Sequence, residues 1–233
     1  MIACILAGGK GLRLADSLPK PLVDIGGKPM IEHIIDIYGD YRITDFVVLT
    51  GWKKALFQDW FSVHRSRYKG KEIYLLDTGE NSTTGSRILQ ALQFLNQEHD
   101  ICLTYGDGLA NVNIDDLLNM HFHRGAIATM TAVHPRSPFG VVNIDWQFGR
   151  VIDMHEKPLD DRWINGGFFV LSQEACKYIH ESLPFEKQAL PAIARQDCLY
   201  AHRHFDFWKC VDTQKDLEEV RELATQSHLP WRR

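Results

Sequence analysis

The stretch Ile2-Ala3-Cys4-Ile5-Leu6-Ala7-Gly8-Gly9-Lys10-Gly11-Leu12-Arg13-Leu14 decides how this chain is read. From Ile2 to Ala7 it is apolar without interruption, the pattern of a strand buried on both faces of a parallel sheet. It then breaks into glycine at Gly8, Gly9 and Gly11. Glycine lets a backbone come close to a ligand and turn its N–H groups toward one point, which is how a loop cradles phosphate oxygens. Arg13 adds a planar fork for two such oxygens, and Lys20, in Pro19-Lys20-Pro21-Leu22, adds a compact charge that follows a moving one. The loop is suited to a triphosphate.

Two better-known phosphate loops are excluded. Counted from Gly9-Lys10-Gly11, a dinucleotide fingerprint needs Gly or Ala where Leu14 stands, and it has no use for Arg13. The Walker pattern needs Gly-Lys followed by Ser or Thr, whereas Gly27-Lys28 is followed by Pro29. The composite Leu-Ala-Gly-Gly-x-Gly-x-Arg-Leu, then Pro-Lys-Pro, then Gly-x-Pro resembles the loop of the sugar-phosphate nucleotidylyltransferases.

Outward from the loop, Met30 to Tyr38 has a helical apolar period behind Pro29, and Ile43 to Thr50 is a β-branched run ending at Gly51. Lys53 to Phe61 reads as helix and Glu72 to Leu76 as a third strand. This βαβαβ order predicts an α/β fold, a doubly wound and mostly parallel sheet with helices on both faces. Ligands in such sheets lie beyond the carboxyl ends of the strands, so the residues after each strand carry the function. After the third strand, Thr84-Gly85 opens a helix whose N-terminus, with Arg87, offers donors to a base edge or a phosphate, or else is an ordinary cap. Asp100 to Tyr105 is the next strand and ends in Gly106-Asp107-Gly108. An aspartate between glycines at that edge is either a turn residue or a first candidate for a Mg²⁺ ligand.

The second half continues with a helix over Ile114 to Phe122 and a strand over Ala126 to Val133. Phe139 to Asp145 and Gly149 to Asp153 form a small β-hairpin excursion from the parallel core, followed by Glu156-Lys157-Pro158. Trp163 to Leu171 enters a strand through Asn165-Gly166-Gly167, where a sugar could touch the backbone. Glu156 and Asn165 suit its hydroxyls and Lys157 its phosphate, the alternative being a solvated Glu–Lys pair. Helices over Glu174 to Glu181 and Leu190 to Arg195, a strand over Leu199 to His204, and a helix from Thr213 to about Thr225 complete the chain. Asp212, just before the last helix, is either its N-cap or a second Mg²⁺ carboxylate beside Asp107. His121/His123 and His202/His204 lack a third nearby ligand and read as surface residues.

The chain is expected to form one domain over residues 1–233, with a nucleotide-binding half (1–110) and a sugar-phosphate half (111–233). Its formal charge of −4 argues against a nucleic-acid partner. The five cysteines show no C-x-x-C spacing, and Cys4 and Cys102 sit inside apolar runs as small core residues. No apolar run approaches a membrane span and no signal peptide is recognisable, so no membrane partner and a reducing cytoplasm are expected.

Taken over nearly its whole length, the chain resembles the glucose-1-phosphate cytidylyltransferase branch of the family. The matching pieces include Thr84-Gly85-Ser86-Arg87, Thr104-Tyr105-Gly106-Asp107-Gly108, Glu156-Lys157-Pro158, Ile164-Asn165-Gly166-Gly167 and Asp212-Thr213. It departs in a compressed gap between Arg13 and Lys20, in Ser86 for a usual glycine, and in Phe185 to Leu190, which partly keeps a Trp-Glu-x-x-Pro-Leu pattern. The resemblance implies Mg²⁺-dependent cytidylyl transfer from CTP to a sugar 1-phosphate, with Arg13, Lys20 and Asp107 catalytic and Asp107 and Asp212 on the metal. Leu6, Ala7, Gly8, Gly9, Lys10, Gly11, Thr84, Gly85, Arg87 and Gly106 would hold the nucleotide, and Glu156, Lys157, Asn165, Gly166 and Gly167 the sugar phosphate. The alternatives are another base or sugar, such as a heptose-1-phosphate guanylyltransferase, or a regulatory subunit that binds nucleotide without turnover; a homo-oligomer is possible.

Overall fold

A computed structural model describes residues 1–11, 18–96 and 99–233. Arg13 lies outside them. In chain order the elements are β1 (Ile2–Leu6), a 3₁₀ turn (Lys20–Leu22), β2 (Asp24–Ile25), β3 (Lys28–Pro29), α1 (Met30–Gly39), β4 (Asp45–Thr50) and α2 (Lys54–Val63). Then come β5 (Glu72–Asp77), α3 (Thr84–Phe94), β6 (Ile101–Tyr105), β7 (Gly108–Ala110), α4 (Ile114–Arg124) and β8 (Ala128–Val133). The rest is β9 (Val141–Ile144), β10 (Val151–His155), β11 (Ile164–Leu171), α5 (Ala189–Ala194), β12 (Leu199–His204), β13 (Trp208–Cys210) and α6 (Gln214–Ala224).

Seven strands make the central sheet in the order β12-β8-β11-β6-β1-β4-β5. Among them β11 runs against its neighbours β6 and β8, and the other pairings, β12 with β8, β6 with β1, β1 with β4 and β4 with β5, are parallel. The uninterrupted apolar run of β1 has the predicted cause. Ala3 and Ile5 point into one core with Phe46, Val48 and side chains of α1, α2, α4 and α6, while Cys4 points into the other with Val47, Leu49 and side chains of α3 and α5. Helices therefore cover both faces. The hairpin β9–β10 stands outside the sheet with every residue exposed.

This topology gathers the functional loops. The parallel strands β1, β4, β5 and β6 deliver Gly8, Gly51, Thr78 and Gly106 to one edge, and the reversed strand β11 begins at that same edge, bringing Asn165, Gly166 and Gly167 to it. The antiparallel pair β7–β13, Cys210 opposite Gly108, brings the residues after β13 alongside those before β7.

Two sequence expectations need correction. The segment expected as a helix over Glu174 to Glu181 is a 3₁₀ turn, Gln173–Tyr178, in which Ala175 is the one fully buried residue, too small an apolar face to hold longer helix. His121 and His204 are buried rather than on the surface: His121 Nδ1 lies 3.0 Å from Thr129 Oγ1, and His204 Nε2 lies 2.9 Å from the Phe207 carbonyl.

The C-terminal segment is anchored by a buried polar pair. Trp231 Nε1 donates to His33 Nδ1 (3.1 Å), and His33 Nε2 lies 2.9 Å from the Ile25 carbonyl. An indole N–H only donates, so Nδ1 accepts, Nε2 carries the proton and the ring is neutral. Burial is the largest cause holding its pKa down to about 4. Between there and the unfolded value near 6.5 the unfolded chain binds more protons, so stability falls as pH drops through that window, by on the order of 3 kcal/mol in all. His33→Gln, whose amide both donates and accepts, is expected to flatten the difference in unfolding free energy between pH 7.5 and 4.5. An unchanged difference would remove His33 as its source.

Candidate active site

A cleft of about 500 Å³ opens along the carboxyl edge of the sheet. Leu6 to Gly11 line one side, Glu80, Asn81, Ser82, Thr84 and Arg87 the other, and Lys20, Pro21, Tyr105, Gly106 and Asp107 also contribute to its lining. Lys10 Nζ meets Glu80 Oε1 at 3.3 Å, with both side chains about half exposed.

The three loop glycines have different reasons to be glycine. At Gly8 a Cβ would collide with the Arg87 guanidinium, and at Gly11, where φ is +52°, it would come within 2.7 Å of Lys20 Cγ. Gly9 faces open space. The chain thus uses Gly8 and Gly11 to seat two of its own cations, leaving Gly9 as the close approach to a ligand. Arg87 is a buried brace more than a donor to the cleft: its guanidinium donates to the carbonyls of Gly8 (2.9 Å), Thr50 (3.1 Å) and Glu80 (3.3 Å) and to Thr78 Oγ1. It ties the loops after β1, β4 and β5 together. Gly8→Ala is expected to lower stability by about 1–3 kcal/mol by overpacking this brace; a thermal midpoint equal to wild type would contradict the crowding.

Lys20 lies on the 3₁₀ turn after Pro19, buried except for about a tenth of its side chain. Its ammonium is 3.4 Å from Asp107 Oδ2 and pairs closely with Asp212 Oδ1. Burial alone would lower its pKa, but the bond to Asp212 and the charge of Asp107 outweigh it and leave it above the ordinary lysine value. Burial, and secondarily Asp212, push the Asp107 carboxyl above its ordinary value while Lys20 opposes them. Two carboxylates about a hundred residues apart in sequence therefore converge on one cation.

Local structure explains the convergence. The Val211 N–H donates to the Asp107 carbonyl (2.8 Å), extending the β7–β13 pairing and setting Asp212 beside the Asp107 loop. Asp212 is not the cap of α6. Thr213 is, in a capping box with Asp216, which frees the Asp212 carboxylate for Lys20. Cys210 adjoins this cluster; burial, with Asp107 adding to it, pushes its thiol up to about 12 and keeps it protonated.

The other predicted positions are more mixed. Thr84 lines the cleft, but its hydroxyl donates to Glu186 Oε2 (2.7 Å) and accepts from the Phe185 N–H (2.9 Å). Gly85 packs beneath the carbonyls of His180 and Leu183, which explains the glycine without a ligand. Asn165 donates to the Tyr105 hydroxyl (3.2 Å) and accepts from the Gly167 N–H (2.9 Å). Gly166 and Gly167 are needed against Val133 and against the Tyr105 ring. Glu156 and Lys157 are exposed beyond β10, 3.5 Å from each other, and do not line the cleft.

Sequence reasoning missed Tyr105 and Glu186. Tyr105 lines the cleft and donates to Glu186 Oε1 (2.7 Å). Its place immediately before Gly106-Asp107 was the available signal, and for Glu186 it was the partly kept Trp-Glu pattern.

Comparison with known proteins extends the picture. The family model described as nucleotidyl transferase matches residues 2–227. A Bacillus subtilis protein named "Probable glucose-1-phosphate cytidylyltransferase" is 37% identical over 100% of this chain and 99% of its own length. The Salmonella typhi glucose-1-phosphate cytidylyltransferase is 34% identical over 100% of this chain and 99% of its own. Among solved structures, HddC from Yersinia pseudotuberculosis, complexed with GMP-PN, superposes with a TM-score of 0.71 at 21% identity, covering 95% of this chain and 98% of that one.

Proposed function

The chain belongs to the nucleotidyl transferase family, and from that premise we propose that it transfers the cytidylyl group of CTP to glucose 1-phosphate or a related sugar 1-phosphate, releasing pyrophosphate. The observation that carries the chemistry is the Lys20 ammonium seated between Asp107 and Asp212 at a cleft rimmed by the glycine loop. What supports the base and the sugar is the name shared by relatives aligned over the full chain.

The reaction is an in-line attack of a sugar-phosphate oxygen on the α-phosphorus. It brings two anions together, so the site has to neutralise charge and align partners. The loop amides around Gly9 take the phosphate oxygens, and Lys20 neutralises charge developing on the α-phosphate. Arg13, outside the described residues, is assigned the leaving pyrophosphate by the resemblance. Glu156 and Lys157 remain acceptor residues on that same ground.

The acidic pair suits Mg²⁺. Its donors are hard carboxylate oxygens that already share one cation, and among the described residues no cluster of three or more His, Cys, Asp or Glu side chains forms a closed cage. Mg²⁺ ordinarily uses one or two carboxylates and completes its shell with water and substrate phosphate. Asp107 and Asp212 would hold it, and when bound it would supply charge neutralisation at the α-phosphate.

The test is a pyrophosphate-release screen crossing CTP, GTP, UTP and dTTP with several sugar 1-phosphates. CTP with glucose 1-phosphate or a near relative is expected to give the highest kcat/KM. Preference for GTP would reassign the base, and tight CTP binding without turnover on any acceptor would make the chain a regulatory subunit.

A further inference from the structure

A hydrogen-bonded relay runs from the cleft lining, at Thr84 and Tyr105, to Asn165 and Gly167 at the start of β11. Thr84 Oγ1 and the Tyr105 hydroxyl each donate to one oxygen of Glu186, at 2.7 Å in both cases. The Tyr105 oxygen accepts from Asn165 Nδ2 (3.2 Å), and Asn165 Oδ1 accepts from the Gly167 N–H (2.9 Å). Gly167 sits at φ +82°, with the Tyr105 ring where a side chain would be.

The relay has a direction, and one residue sets it. A carboxylate only accepts, so Thr84 and Tyr105 must both turn their single O–H toward Glu186. Tyr105 is then left as the acceptor for Asn165, which fixes the amide with its oxygen toward the Gly167 N–H. Reversing any one member would put donor against donor at the next. An ordinary phenol is protonated at neutral pH, so the Tyr105 O–H is there to donate to Glu186.

We propose that Glu186 and Tyr105 are positioning residues: acting through Asn165, they fix the orientation of the Asn165–Gly167 segment and thereby the fit of the acceptor. This deepens the function proposed above and rests on it for the word acceptor. The relay ties Thr84, which starts α3 and lines the cleft, to the beginning of β11.

The carboxylate's polarity is tested by an isosteric change. Glu186→Gln places an amide donor in the relay with little change in shape. It is expected to speed hydrogen exchange of the Gly167 amide about tenfold and to raise KM for the sugar 1-phosphate about tenfold, with KM for the nucleotide within about twofold. Tyr105→Phe, which deletes the middle member, is expected to do the same and serves if the first variant does not fold.

Adding Asn165→Asp to Glu186→Gln restores a consistent set of donors and acceptors: the glutamine amide donates to the tyrosine oxygen, the tyrosine O–H to one aspartate oxygen, and the Gly167 N–H to the other. The double variant is expected to exchange Gly167 more slowly than Glu186→Gln alone. Wild-type exchange in Glu186→Gln and Tyr105→Phe, or a double variant no slower than the single one, would overturn the relay. Faster exchange with an unchanged acceptor KM would overturn its role in positioning the acceptor. Should the wild type turn over no nucleotide and acceptor pair, the proposed function fails, and the acceptor role with it, while the exchange data still decide the relay.

Discussion

Lys20→Ala is expected to lower kcat for pyrophosphate release by on the order of 10²- to 10³-fold at saturating substrates, as removal of one aimed charge from a preorganised site does. The way the side chain is held suits that proposed role. Its stem fills the space beside Gly11, its ammonium is pinned by Asp107 and Asp212, and its pKa stands above the ordinary value, so it stays charged across the working range. Truncation also leaves Asp107 and Asp212 facing each other with their shared cation gone, which raises further the tendency of Asp107 to hold a proton. Circular dichroism and a thermal midpoint on the same preparation separate a fold defect from a chemical one. A folded Lys20→Ala protein with near-wild-type kcat would remove Lys20 from the chemistry.

The second large effect concerns the acidic pair. Asp107→Asn is expected to abolish Mg²⁺-dependent turnover, and Asp212→Asn to lower kcat by on the order of 10²-fold or more and to raise the Mg²⁺ concentration giving half-maximal rate. Asp212 offers the cleaner comparison. Because Thr213 caps α6 through its own hydroxyl and Asp216, the Asp212 side chain is not needed to start the helix. Asn caps a helix as well as Asp does, so Asp212→Asn leaves the start of α6 intact in either role, and the Mg²⁺ titration alone tells a metal ligand from a cap. An unchanged Mg²⁺ titration in a folded Asp212→Asn protein would remove Asp212 from the metal.

Much of this was legible in the sequence because the signals were long or redundant. The run Ile2 to Leu6 announces a strand buried on both faces, and two separate cores do take its alternate side chains. The residues after β1 and β6 lie at one edge because parallel strands leave no other arrangement. What the sequence hid was the partner of each glycine. Gly8, Gly11 and Gly167 make room for Arg87, Lys20 and Tyr105, and a glycine that admits a ligand looks no different in sequence from one that admits a side chain. β13 was too short to show a period, yet its pairing with β7 is what carries Asp212 to Asp107. His121 looked exposed because its partner Thr129 belongs to another element, and His204 because the chain turns back after β12 to bring it the Phe207 carbonyl.

The claim on which the account turns is that Asp107, Asp212 and Lys20 form one centre acting on a nucleotide in the adjoining cleft. The direct measurement is anomalous diffraction at the manganese edge from crystals grown with Mn²⁺ and a non-reactive CTP analogue. The account predicts a peak within about 2.0–2.4 Å of carboxylate oxygens from both aspartates, with the analogue's phosphates along Gly8 to Gly11. Nucleotide bound in the cleft with the metal elsewhere, or bound away from the glycine loop altogether, would contradict it.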